Sequence, residues 1–384
     1  MFKINKEESK VENLIIQQIN FSTKKNTWKN MFLNGVDHLI DEYYNGYVNT
    51  KHVMPFSPEV FQVAEEFQEG DIFQRALILD TFLDANTVLD DQLENIIRSE
   101  ANYLIESRRK EGVGGWAYFP KLRELPPDAD DLAQVIQVLC RSGYKKETTS
   151  LFEEPLKVLF RDQANIDKGW ESWIIPQENQ SLEEQLQTIW VNKAWGKGSD
   201  IDVVANVLYA LSIYDEDRFS KEIKQGLSFM YNSHEQYSWK STWYYGKNYG
   251  TYMSIRAICA NNGDKQIVKK AVDFLINSRK ADGGWALENE VSSSLQTALA
   301  LLGIYEANTY LGINIDSNWL EKSRVFLQEK YNKILGWESS PFIRMPMGRP
   351  SGYIHTILTY ESATITNNFV TKACQKFILR TNKK

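Results

Sequence analysis

Three carboxylates fall within four residues at Asp128, Asp130 and Asp131, in the stretch Pro126-Pro127-Asp128-Ala129-Asp130-Asp131. Carboxylates this close do not ionise independently, because each negative charge raises the proton affinity of its neighbours and the group titrates as a unit. An aspartic acid held neutral in such a group is a proton donor. The apolar run from Leu132 to Leu139 follows at once, so the acids stand where a loop turns into a helix. That position carries a second reading: Asp128 behind two prolines suits an N-cap, and acids in a first turn suit the positive end of a helix dipole.

The elements that must hold these acids are helical. Apolar positions recur at helical spacing through residues 9 to 48 (Val11, Leu14, Ile15, Ile19; then Trp28, Phe32, Val36, Leu39, Ile40), predicting two helices. Further helices are predicted over Ile72–Leu83 and Leu93–Ser107, then near 129–143, 148–160, 181–195, 200–214, 217–232, 249–262, 265–279, 291–308, 317–331 and 351–380. No alternating β-branched runs flank an Asn-Gly or Asp-Gly turn, so the class is all-α. A small residue followed by tryptophan punctuates the helices at Trp116, Trp170, Trp239, Trp285 and Trp337, spaced 54, 69, 46 and 52 residues apart. Each interval holds about two helices, the mark of stacked helix pairs. Such pairs form either an open solenoid or a closed two-layer ring. A ring needs inner helices apolar on all sides, and Ile72–Leu83 and Val203–Leu211 have that character. With no linker rich in Pro, Gly or Ser, residues 1–384 read as one domain, residues 1–70 supplying N-terminal helices that complete the barrel.

Composition bounds the partners. At 384 residues, 42% hydrophobic and 24% charged, the chain can bury a large core. Its net charge of −6 and pI near 5.5 give no basic footprint for nucleic acid or an anionic surface. Cys140, Cys259 and Cys374 are far apart and each within a helical pattern, which suits buried thiols in a reducing compartment, the cytoplasm. The polar N-terminus and the lack of about 18 consecutive apolar residues predict neither a signal peptide nor a transmembrane helix. Eleven Trp, nineteen Tyr and eighteen Phe mean that rings are needed, for packing or to line a cavity.

Several blocks occur together in order. Gly114-Gly115-Trp116-Ala117-Tyr118 precedes the acid motif; Gly169-Trp170-Glu171-Ser172-Trp173 and Asp202-Val203-Val204-Ala205-Asn206-Val207-Leu208 follow it. Trp243-Tyr244-Tyr245-Gly246-Lys247-Asn248-Tyr249-Gly250-Thr251 and Asp282-Gly283-Gly284-Trp285 come next. In these blocks the chain resembles the squalene-hopene and oxidosqualene cyclases, the class II terpene cyclases, over roughly residues 70 to 310. The resemblance implies an α/α barrel of the α6-α6 toroid type shared by terpenoid cyclases and protein prenyltransferases. It implies proton-initiated cyclisation of a linear isoprenoid, with Asp130 as the acid and Asp128 and Asp131 setting its polarisation and orientation. A carbon–carbon double bond is protonated only by a strong acid, so the donor must be neutral, desolvated and hydrogen-bonded in a way that steadies its anion.

The same likeness assigns a cation-facing wall to Tyr118, Trp173, Trp243 and Phe73, and a binding position to Asp202. Where hopene-forming members pair the acid with a histidine, this chain has Asn206, a neutral group that can hold a water or the acid. Tyr249 is expected to share that role. The family builds its cavity between two barrels, and only the acid-bearing one is expected here, so the cavity must be closed by the chain's own ends, by a partner, or not at all. Two other classes stay open: a protein prenyltransferase β-subunit-like barrel, which needs an Asp-x-Cys zinc ligand pair that is absent although His355 is present, and a non-catalytic barrel that binds an isoprenoid or a protein. No resident cofactor is expected, with magnesium entering only alongside a diphosphate substrate. Peripheral membrane contact and self-association remain open. Substrate length, head group and product skeleton are not written in these residues.

Overall fold

The computed structural model describes residues 27–56, 66–162, 164 and 169–381; the first expected helix, around Val11 to Ile19, lies outside them. Among the described residues the helices are α1 (Thr27–Tyr44), α2 (Ile72–Asn86), α3 (Glu94–Glu106), α4 (Ala129–Arg141), α5 (Lys145–Asp162), α6 (Leu182–Trp190), α7 (Ile201–Tyr214), α8 (Ser220–Ser233), α9 (Asn248–Ala260), α10 (Lys265–Asn277), α11 (Ser294–Leu311), α12 (Ser317–Glu329) and α13 (Ala363–Thr381). Six of them close a ring. α2 packs on α4, α4 on α7, α7 on α9, α9 on α11, α11 on α13, and α13 returns to α2. The rest, α6 apart, clothe this ring: α3 and α5 against α4, α8 against α7, α10 against α9 and α11, α12 against α11, and α1 against α13 and α12. This is an α/α barrel of two layers.

Burial follows from the layering. In the inner helix α9 every residue from Asn248 to Ile258 is buried. The outer helix α10 buries a single stripe, Val268, Ala271, Val272 and Leu275, spaced three, one and three residues apart. Apolarity on all sides of Ile72–Leu83 and Val203–Leu211 therefore marks the inner layer.

The recurring tryptophans fasten one layer to the other. The buried indole N–H of Trp116, Trp239, Trp285 and Trp337 donates to the carbonyl of Leu104, Met230, Leu275 and Leu327 respectively, at 2.7 to 3.0 Å. Each acceptor lies in the last turn of an outer helix, whose final carbonyls have no partner within the helix. One ring thus fills the gap between two helices and satisfies an orphan acceptor. In the first of these elements Gly115, immediately before Trp116, has φ of +87°, a conformation that side chains disfavour.

The far end of the inner ring is locked by charge. Asp80 and Asp84 of α2 pair with Arg141 of α4, Asp80 also with Arg256 of α9, and both with Lys372 of α13 at 2.8 and 2.6 Å. Burial pushes these carboxyls up, and the cations Lys372 and Arg141 outweigh it and hold both below the usual range. Removing one partner of such a network leaves a buried charge unpaired.

Strand structure departs from expectation. Among the described residues three antiparallel pairs occur: β1 (His52–Pro55) with β2 (Phe67–Gly70), β3 (Trp285–Ala286) with β4 (Ser292–Ser293), and β5 (Pro341–Met347) with β6 (Thr356–Glu361). The helix predicted over 351–380 is accordingly a strand followed by α13. The usual hairpin signals are missing here: the burial of β5 reads buried in pairs rather than alternating, and its turn carries Gly348 and Gly352 at positive φ instead of an Asn-Gly step. The segment predicted as one helix over 181–195 is α6 followed by a π turn, Val191–Trp195. The three cysteines are free and lie on α4, α9 and α13. No helix among the described residues is long and apolar enough to cross a membrane.

Candidate active site

Both readings of the acid motif are realised, by different residues. Asp128 is the N-cap of α4: its backbone is extended, and its Oδ1 accepts from the N–H groups of Asp130 (3.1 Å) and Asp131 (2.8 Å). Its Oδ2 accepts from the backbone of Tyr118 at 3.2 Å. Two tryptophan loops strap the turn in place, since Asp128 N–H donates to the Trp116 carbonyl, Ala129 N–H to that of Ser172, and Ile174 N–H to that of Pro127. The repeat that builds the barrel also aims the acid.

Asp130 is left free of capping and lines a pocket. Its Oδ1 accepts from Nδ2 of Asn206 on α7 at 2.7 Å, and its Oδ2 from the hydroxyl of Tyr244 at 2.5 Å. Asn206 is itself oriented: Nε2 of Gln137, on the next turns of α4, donates to its Oδ1 at 2.5 Å, so its NH2 face is turned to the acid. Burial raises the Asp130 carboxyl to about 6, and the bonds from Tyr244 and Asn206 keep it from rising further. Burial, and then the charge of Asp128, lifts Asp131 well above the carboxylate range; burial also raises Asp128. All three acids thus hold their protons to higher pH than an ordinary carboxyl, with a donor on each oxygen of Asp130 to steady its anion.

The pocket beside Asp130 is aromatic. Tyr118, Trp173, Trp243 and Phe73 all lie in its wall. Trp173 stands edge-on to Trp243 with ring centroids 5.6 Å apart, and Phe73 lies 6.0 Å from Tyr244. Trp195, Phe119 and Tyr244 complete the rings; Trp195 and Phe119 carry no local sequence signal, whereas Tyr244 stands in the Trp243–Thr251 block.

Two expected site residues sit differently from expectation. Tyr249 makes no hydrogen bond to Asp130; its ring lies against Tyr244, centroids 4.0 Å apart, and Tyr244 holds the acid instead. The two tyrosines sit in one aromatic block, and only the second falls in the helix, α9, so the first reaches inward from the loop before it. Asp202 is not in the pocket wall: fully buried, its Oδ2 accepts the backbone N–H of Trp243 at 3.0 Å, while Asp200 takes the Trp243 indole N–H at 2.8 Å. Asp202 positions a wall ring. Burial, then the charges of Asp200 and Asp130, raise its carboxyl to about 8.

The chain's own hairpin of β5 and β6 contributes to the pocket wall. Strand β5 pairs with the Trp243 segment through Arg344 N–H to the Trp243 carbonyl (2.8 Å) and Tyr245 N–H to the Phe342 carbonyl (2.9 Å), which brings Ile343 and Met345 into the pocket wall. Beyond β5, Arg349 donates to Oδ1 of Asp200 at 3.1 Å and its guanidinium stands 5.2 Å from the Trp243 ring centroid. These hairpin residues bear no chemical signal in sequence beyond an arginine between Gly348 and Pro350.

Comparison with known proteins agrees with this fold. The family model of the squalene-hopene cyclase C-terminal domain matches residues 84–343. A probable squalene–hopene cyclase of Sinorhizobium fredii is 27% identical over 216 residues, and the squalene–hopene cyclase of Bradyrhizobium diazoefficiens 27% over 218; each match takes in 50% of this chain and 32% of the relative. The matched stretch spans about a third of the length of these relatives. Among solved structures, the type II terpene cyclase MstE from Scytonema, in complex with geranylgeranyl dihydroxybenzoate, superposes with a TM-score of 0.67 at 15% identity, covering 91% of this chain and 97% of that one. The ent-copalyl diphosphate synthase of Streptomyces platensis gives 0.53 at 14%, covering 79% and 50%.

Proposed function

The chain belongs to the family of the squalene-hopene cyclase C-terminal domain, and from that premise we propose that it is a class II terpene cyclase whose general acid is Asp130. The observation that carries this reading is a buried carboxyl, raised to about 6 by burial, that accepts one hydrogen bond on each oxygen and lines an aromatic pocket. Asp130 gives its proton to the terminal double bond of a linear isoprenoid; the alkene's electron pair forms the new C–H bond and leaves a cation on the neighbouring carbon. Tyr244 and Asn206 stabilise the carboxylate that remains. Asp128 holds the helix start, and Asp131, protonated, keeps a second negative charge away from Asp130.

The rings of Trp173, Trp243, Phe73 and Tyr118 then face the cation, each contributing on the order of 1–2 kcal/mol once water is excluded. Ile343 and Met345 of the hairpin cover part of that pocket and help to keep water from the cation. The isoprenoid ends in a diphosphate, a hydrocarbon or an aromatic head; a diphosphate would bring magnesium with it. Leu182, Leu186 and Ile189 stand exposed along one side of α6, which supports contact with a membrane that stores such substrates. The prenyltransferase reading needs an Asp-x-Cys pair that the sequence lacks, and His355 is exposed on the hairpin turn.

The test is incubation with geranylgeranyl diphosphate, a geranylgeranylated hydroxybenzoate and squalene, followed by mass spectrometry for cyclised isomers of unchanged mass. Turnover that disappears in Asp130→Asn supports the reading; binding without turnover in the wild type would make the barrel a carrier.

A further inference from the structure

His52 has no part in the reaction as described, yet it is buried beside the pocket. It lies on β1, 6% exposed, and its Nδ1 stands 2.9 Å from the hydroxyl of Tyr118. That hydroxyl accepts a 2.6 Å bond from Nε2 of Gln74 on α2. In the tautomer with Nδ1 bare, the phenol that accepts from the amide gives its own proton to the imidazole. The surroundings are rings, with Tyr360 at 5.0 Å and Phe119 at 5.6 Å from the imidazole, and burial lowers its pKa to about 4, so it rests neutral. Tyr118 meanwhile forms part of the wall of the pocket that holds Asp130.

A cyclisation begun by adding a proton is completed when the last cation gives one up. We infer that Tyr118, backed by His52, takes that terminating proton. The inference rests on the cyclase reading above. The C–H bond beside the cationic carbon breaks and its electron pair becomes the product double bond. The proton joins Oη of Tyr118 while the phenol's own proton passes to Nδ1 of His52, leaving Tyr118 neutral and His52 as imidazolium. One turnover therefore moves one proton from Asp130 to His52 through the substrate, and exchange with solvent restores both. Tyr118 is the catalytic residue of this step; His52 acts through it.

His52→Gln separates this role from a structural one, because glutamine still offers an acceptor to the Tyr118 hydroxyl but takes no proton. The expected result is a fall of about 100-fold in formation of the wild-type alkene. Alcohols formed by water capture, or alkenes with the double bond elsewhere, replace it while cyclisation still starts. Tyr118→Phe, which removes a single oxygen, is expected to give the same switch and covers the case in which His52→Gln does not fold. An active wild type whose products are unchanged in both variants overturns the inference alone. A wild type that cyclises no isoprenoid overturns it together with the cyclase reading.

Discussion

Replacing Asp130 with asparagine should make the protein more stable as it makes it inactive, and the gain should depend on pH. The folded carboxyl sits at about 6 against an ordinary value of 3.8. The native state therefore holds a proton that the unfolded chain has released, and stability falls as pH rises through that interval. The difference of about 2 units corresponds to about 3 kcal/mol at 1.36 kcal/mol per unit, fully expressed above pH 6 and absent below pH 4. Asparagine does not titrate, so the stability gap between variant and wild type should widen by about 3 kcal/mol between pH 4 and 8, mostly between 4 and 6. The constant part of the gap is smaller, because the new amide still accepts from Asn206 but obliges the Tyr244 hydroxyl to rotate and accept. Urea melts of both proteins across this range give the gap directly, with turnover read beside them. A gap independent of pH would refute the burial that makes Asp130 an acid.

Tyr244→Phe removes one of the two donors to Asp130 and should slow cyclisation by about 10- to 100-fold, the value of a hydrogen bond to a charged group, while Tyr249→Phe leaves the rate near wild type; equal rates in initial-velocity assays of the two would return the role to Tyr249. Trp243→Phe keeps a ring but frees the Asp200 acceptor, so a melt should show a loss of about 1.5–3 kcal/mol and mass spectrometry a shifted product ratio. Trp285→Ala should lose about 3–5 kcal/mol in a denaturant melt through packing and the orphaned Leu275 carbonyl. Arg349→Ala releases the hairpin from Asp200 and should raise KM and the share of water-captured products without lowering the melting temperature by more than about 2 °C.

The parts of this molecule legible in sequence are those written in local pattern. Asp128, Asp130 and Asp131 stand at the start of an apolar helix, and the five tryptophans recur at a helix-pair interval, so stacked helix pairs and a cluster of mutually coupled acids could be expected, while the closed barrel and the choice of Asp130 came from the family resemblance. What escaped depends on chain crossing over distance. Tyr244 and Tyr249 are five residues apart in one aromatic block, and only the helix start at Asn248 decides which reaches the carboxyl. Strand β5 is recruited into the pocket wall by backbone pairing to the Trp243 segment, which needs no side-chain signature. His52 meets Tyr118 across 66 residues because β1 pairs with β2 beside the start of α2, a contact that a lone histidine does not advertise.

Cyclisation in deuterium oxide tests the central claim most directly. A proton-initiated cyclase exchanges the Asp130 proton with solvent before each turn, so every product molecule should gain one deuterium, on the carbon that receives the first proton, and Asp130→Asn should form no labelled product. Cyclised product free of deuterium, or labelled equally by the Asp130→Asn protein, would contradict it.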